Sequence, residues 1–289
     1  MADSEQASAL VPMPRDCASR YAHPLFAGFA CDRDEFSVGD LAALNNRMSS
    51  AGSTRSLRFV AQTPDLLVDG LHYEERIARR GVIATREGST HDFFNALVWL
   101  RHADLKRAMN VRQVADIARV GPKRRTRGQC ALTHFDEAGL IVWLDETPDL
   151  EEAWNAHDWR SLFFTHRGDW GSRIAVTVIG HALLDHAFLH GLLPTAKALA
   201  VRVDRDRIER RSEDAVIASW PEAERAIARH IEAARLLTDP QELRPLPLAG
   251  IPGWQAGQSE AFYDEASCFR PLRAGRCYPP PWDLPRPKD

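Results

Sequence analysis

The stretch "RIAVTVIGHALLDHAFLHGLLPTAKALAVRVD", residues 173–204, decides how this chain folds. It opens on Ile174, Val176, Thr177, Val178 and Ile179, a β-branched run that suits a strand. Beyond Gly180 the apolar positions change to helical spacing, and the segment closes at Gly191, where a left-handed residue can end a helix. "AKALAVRVD" then returns to strand character. A strand, a helix and a second strand in immediate succession predict a mixed α/β fold.

Working outward, "LRFVAQ" (57–62) reads as a strand, and "HYEERIARRG" as a short helix closed by Gly81. "VIAT" (82–85) reads as another strand. In "GSTHDFFNALVWL" (88–100) Ser89 or Thr90 can cap a helix, and Asp92 suits its positive end. Phe93, Phe94, Leu97, Leu100 and Leu105 then recur at helical spacing, with the helix continuing, possible breaks aside, to Gly121. "CALTHFDEAGLIVWLD" places a strand at Leu140–Leu144 after a turn at "DEAG". Cys130–Phe135 is either a strand or a helical turn. Thr147 followed by Pro148 marks a helix start, and "SEDAVIASWPEAERAIARHIEAARLL" reads as a long helical stretch, interrupted or kinked near Pro221.

From Pro240 the chain is dense in Pro, Gly and aromatics. Trp254, Phe262, Tyr263 and Phe269 are too apolar for a free tail, so Leu243–Pro271 is expected to pack as an irregular strap. The resulting expectation is a mixed α/β (α+β) protein with helices around a small sheet. Residues 1–20 would be a mobile tail, 21–272 one globular domain including the strap, and 273–289 a flexible Pro-rich tail.

The 289 residues are 44 % hydrophobic and 27 % charged, a balance that argues for a packed core over disorder. A net charge of -3 gives no general attraction to nucleic acid or an anionic membrane. The one dense basic run, "PKRRTR" (122–127), reads as a solvated loop. No window is long and apolar enough for a spanning helix. Cys17, Cys31, Cys130, Cys268 and Cys277 are scattered and odd in number, which fits reduced thiols better than a disulfide framework and excludes a zinc ribbon. With no secretory signal in sight, the expected location is cytoplasmic. A dinucleotide fingerprint, a phosphate-binding loop, a nucleophile elbow and an EF-hand are all missing.

Three polar constellations carry the chemistry. On the helix after Ser89, His91 and Asn95 share a face with Val98 and His102, while Phe93, Leu97 and Leu100 define an apolar one. Asp92 either caps the helix or pairs with His91 at a site. In "GHALLDHAFLH", His181 and Asp185 are four apart, as a carboxylate-oriented imidazole requires, or they pin a core helix. His186 and His190 share that spacing, but Ala187 stands where a zinc-protease helix needs Glu. In "THFDEAG", Asp136 and Glu137 are either turn residues or a paired-carboxylate site for a cation or a general base.

Several strings resemble the bacterial domain-of-unknown-function 3025 family: "YEERIARRGVIATRE", "HDFFNALVWL" with Lys106 and Asn110, "RGQCALTHFDEAGL", "GHALLDHAFLHGLLPTAKAL", and "PLPLAGIPGWQ" to "FYDEASCFRP". They run in the family's order over about Tyr73 to Pro271. The resemblance implies that the strap belongs to the fold. It places Arg86, His91, Asp92, Asn95, Lys106, Asn110, Asp136, Glu137 and His181 at motif positions, with His134, His186 and His190 outside them. Cys130 stands where the family's pattern has an acidic residue, and Asp185 where it has glutamate.

Two functions are therefore expected as alternatives. One is a metal-assisted hydrolase of the phosphoester type. In it His91, Asp92 and Glu137 are catalytic, Arg86, Asn95 and Lys106 hold a small anionic substrate, and His91, Asp136, His181 and Asp185 bind a divalent metal. The other is a non-catalytic binding or regulatory protein in which the same residues form a structural hydrogen-bond network. Neither reading calls for a membrane or nucleic-acid partner, and neither fixes an oligomeric state.

Overall fold

The computed structural model describes residues 21–29, 40–50, 57–214, 217–218 and 220–285. The tail expected over residues 1–20 lies outside them. In chain order the main elements are α1 (Leu41–Ser50), β1 (Arg58–Ala61), α2 (Pro64–Leu67), α3 (Tyr73–Arg80), β2 (Val82–Thr85), α4 (Thr90–Arg101), α5 (Ala103–Val120), α6 (Arg127–Ala138) and β3 (Gly139–Leu144). There follow α7 (Pro148–Ala156), β4 (Ile174–Val178), α8 (His181–His190), β5 (Thr195–Arg202), α9 (Arg205–Arg211), β6 (Ser212–Asp214) and β7 (Ile217–Ala218). The last are α10 (Pro221–Glu232), β8 (Arg244–Pro247), α11 (Glu260–Glu265) and β9 (Trp282–Asp283). The mixed α/β class is as the sequence predicts.

Packing groups the chain into two compact units, where the sequence reading has one domain over 21–272. A helical unit comprises residues 28–136 and 222–240, and a sheet unit residues 1–27, 137–221 and 241–289. The absence of a linker signal follows from this arrangement, because residues 222–240 return to a unit that the chain has already left.

In the helical unit, β1 and β2 pair in parallel from Arg58↔Val82 to Ala61↔Thr85. α3 begins with a capping box between His72 and Glu75 and ends at Gly81, whose φ of 65° is the left-handed stop expected. α4 is capped by Ser89, whose side chain accepts from the Asp92 N–H. It ends at His102, which is buried and bonded to Glu224 on α10 at 2.7 Å. Phe93, Phe94, Leu97 and Trp99 of α4, Leu105 and Met109 of α5, and Leu132 and Phe135 of α6 are buried in the core.

In the sheet unit the strand order is β6-β7-β4-β3-β5-β8. β3 is central, antiparallel to β4 and parallel to β5, and all six of its residues are buried. That explains its unbroken apolar run "GLIVWL". The strap begins as β8, antiparallel to β5 from Thr195↔Pro247 to Ala198↔Arg244. Pro245 and Pro247 are tolerated there because, among the described residues, β8 has a neighbour on one side only. Further along, Trp254, Phe262 and Tyr263 are buried, Tyr263 stacking on Phe163 at 6.0 Å.

Three expectations are corrected. "DEAG" is no turn: Asp136, Glu137 and Ala138 complete α6, and Gly139 opens β3. Buried Ala131, Leu132 and Phe135 give that segment a helical stripe that its Thr, Cys and Phe content disguises. The stretch around Pro221 is interrupted, not one kinked helix: Pro221 is the first residue of α10, where its missing N–H costs no hydrogen bond, and two short strands precede it. From residue 273 the chain is no loose tail over the described residues. Trp282 and Asp283 pair with Val201 and Arg202 of β5, and the Tyr278 hydroxyl lies 3.0 Å from His157 Nε2.

Candidate functional site

In the helical unit a polar network runs through the apolar core. Lys106 on α5 is 4 % exposed, and its ammonium donates to Asn95 Oδ1 at 2.8 Å and Asp136 Oδ1 at 2.5 Å. The Asn95 amide in turn donates to the Tyr73 hydroxyl oxygen at 3.1 Å. Lys106 Nζ also lies 5.3 Å from the Trp99 ring centre, close enough for a cation–π contact. Helical spacing builds the array. Asn95 and Trp99 are one turn apart on α4, and Lys106 and Asn110 one turn apart on α5.

Asn110 donates to the Glu74 backbone oxygen at 2.9 Å and to its carboxylate at 2.6 Å. Burial pushes the Glu74 carboxyl above the usual carboxylate range; the Asn110 amide opposes this and the Asp136 charge adds to it. Burial likewise pushes the Tyr73 phenol well up, so it stays protonated. Sequence reasoning misses Tyr73, Glu74 and Trp99. The available signal for Tyr73 is its i,i+4 stripe with Ile77, which marks the inward face of α3. Glu74 looks like an ordinary acidic residue in a first turn.

Asp92 accepts from the Arg86 backbone N–H at 2.6 Å and from the Arg86 guanidinium at 3.0 and 2.8 Å. Burial alone would raise its pKa, but the Arg86 hydrogen bonds outweigh it and hold the carboxyl below its ordinary value. Asp92 thus clamps the loop after β2 to the start of α4. His91, beside it, is half-buried.

In the sheet unit the antiparallel pairing of β3 and β4 creates the second place of interest. Leu140 is opposite Val178. Glu137, three residues before Leu140, and His181, three residues after Val178, therefore emerge at the same end of the sheet. His181 opens α8 with a buried side chain, and its Nε2 stands 3.5 Å from Glu137 Oε2. The Glu137 side chain is 43 % exposed against 4 % for His181, so the pair is open on the carboxylate side. Gly180 makes the approach possible. A Cβ there would sit 2.4 Å from the Gly139 nitrogen and 2.6 Å from Ala138, inside backbone atoms that nothing can move.

The separation itself is informative. A charge-assisted N–H···O bond is about 2.7–2.9 Å long, well short of the 3.5 Å observed. Metal–nitrogen and metal–oxygen distances of about 2.0–2.2 Å at a tetrahedral angle put two ligand atoms about 3.4 Å apart. The pair thus has the spacing of two ligands on one edge of a tetrahedron.

The sequence candidates therefore separate. Lys106, Asn95 and Asp136 join one network, Arg86 and Asp92 form a clamp, and Glu137 and His181 face each other. Asp185 is one turn further along α8 and half-buried. His134 is exposed on α6. Among the described residues no helix is long and apolar enough to cross a membrane.

No curated protein and no solved structure matches the chain. A family model described as "Protein of unknown function (DUF3025)" matches residues 57–273. That stretch runs from β1 to the end of the strap and contains both the Tyr73–Asp136 network and the Glu137–His181 pair. The chain belongs to the DUF3025 family.

Proposed function

We propose that this protein is a metal-assisted hydrolase of the phosphoester type, with His181 and Glu137 as donors to one divalent cation. The observation that carries the reading is the 3.5 Å separation of a buried imidazole nitrogen and a half-exposed carboxylate oxygen. One nitrogen and one hard oxygen donor suit zinc or manganese, and the exposed side of Glu137 leaves room for a water and a substrate. A cation held by these residues would supply Lewis-acid chemistry, activating a water and attracting a small anionic substrate. Asp185, one turn along α8 from His181, is the candidate further donor within the sheet unit. Asp136, paired with Lys106, is a less suitable donor. The thiols of Cys130, Cys268 and Cys277 are not in disulfides, in keeping with a cytoplasmic setting.

The test is zinc and manganese binding by the full chain, followed calorimetrically, together with hydrolysis of p-nitrophenyl phosphate esters. His181→Ala and Glu137→Gln are expected to weaken the site by about tenfold or more and to abolish turnover. Wild-type binding that neither substitution alters would overturn the metal reading.

For the residues of the helical unit, the alternative of a structural network has its own support. Lys106, Asn95, Asp136 and Tyr73 satisfy one another. In this reading Asn95 and Lys106 position Asp136 and stiffen the core, and they are not substrate contacts.

A further inference from the structure

α8 carries a second set of ligand-type side chains at its other end. His186 and His190 are both exposed, one helical turn apart, with ring centres 4.7 Å from each other and planes tilted by 50°. When two imidazoles share an ion at about 2.0–2.1 Å per nitrogen, each ring centre lies about 3.2 Å from it. The ring centres are then about 4.5 Å apart for a right-angled pair and about 5.2 Å for a tetrahedral one. The observed separation falls inside that window, so the ring spacing is compatible with chelation. Gly191, left-handed at φ 66°, closes the helix directly after His190. An ion held there would sit at the negative end of the α8 dipole. Asp185 adds a carboxylate whose charge reaches His186.

We propose that His186 and His190 form a surface site for a late divalent transition ion, with water completing its coordination. Imidazole nitrogens select zinc, nickel or copper over magnesium and calcium. The site shares no residue with the Glu137–His181 pair and does not depend on it. Bound metal would bridge the last turn of the helix whose first residue is His181.

The experiment is a copper(II) and zinc titration of tag-free, full-length protein, comparing wild type with His190→Ala, His186→Gln and His181→Ala. Both rings are exposed, so their replacement leaves the core intact. The expected result is a zinc site weakened by about tenfold or more in His190→Ala and His186→Gln but retained in His181→Ala. The copper spectrum should show two nitrogen couplings in wild type and one fewer in His190→Ala. Unchanged isotherms and spectra in His190→Ala would overturn this site, as would complete loss of metal in His181→Ala alone. Loss in His190→Ala with no effect of His181→Ala would uphold this site while removing the metal role of Glu137 and His181.

Discussion

At the scale of single residues, Lys106 is an ionisable group kept inside an apolar core, and half-buried Glu74 is held at its margin. Lys106→Met would remove the ammonium that satisfies both Asn95 and Asp136. Breaking a buried pair costs about 3–5 kcal/mol, but Asp136 is 27 % exposed and regains water. A loss of about 2–3 kcal/mol in chemical unfolding is therefore expected. Glu74 gives a pH signature. Its folded pKa lies above the ordinary value, so its contribution to stability is complete at pH values below the ordinary carboxylate pKa. That contribution fades as pH rises through the folded pKa. Glu74→Gln keeps an acceptor for Asn110 without the charge. Its melting temperature should exceed that of wild type at pH 8, with the gain shrinking towards pH 4.5. A constant difference across that range would contradict a half-buried, charge-averse Glu74. The sequence flags Lys106, Asn95 and Asp136 but offers no sign that they meet. Residues 95, 106 and 136 come from three helices, and no local pattern encodes their packing.

At the scale of elements, punctuation is legible and pairing is not. Ser89, Gly81 and Gly191 work locally through a hydroxyl or a left-handed φ, and each ends or starts its helix as the sequence suggests. The α6 segment fails because Asp-Glu-Ala-Gly is turn-like in isolation, whereas burial of Leu132 and Phe135 overrides that preference. The pairing of Leu140 with Val178 is non-local, yet it alone decides that Glu137 meets His181. Gly180 is the element-scale test of this juxtaposition. Gly180→Ala would drive a methyl group into the Ala138–Gly139 backbone. A stability loss of at least about 2 kcal/mol is expected, along with weaker metal binding than the fold loss alone explains. A variant as stable as wild type would show that this end of β3 and β4 has room to spare.

At the scale of the whole molecule, the Pro-rich C-terminal region belongs to the sheet unit. It supplies β8 to the edge of β5, a carbonyl at Pro245 for the Trp154 indole, and the buried side chains of Leu246, Leu248, Ile251, Trp254, Phe262 and Tyr263. Each large apolar side chain contributes about 1.5–3 kcal/mol on burial. Their sum is comparable to the roughly 5–15 kcal/mol by which domains are stable. Truncation after Pro240 should therefore abolish the cooperative thermal transition of the sheet unit, and a truncated chain melting like the full one would contradict that role. Aromatic content makes the strap legible in the sequence; its strand does not show, because Pro245 and Pro247 argue against one. The central claim concerns the pair held at the end of strands β3 and β4 of this sheet, and the most direct test is zinc calorimetry on full-length wild type, His181→Ala and Glu137→Gln. The account predicts a zinc site in wild type that is weakened by about tenfold or more in each variant while the fold persists. Isotherms that coincide for all three proteins would contradict it.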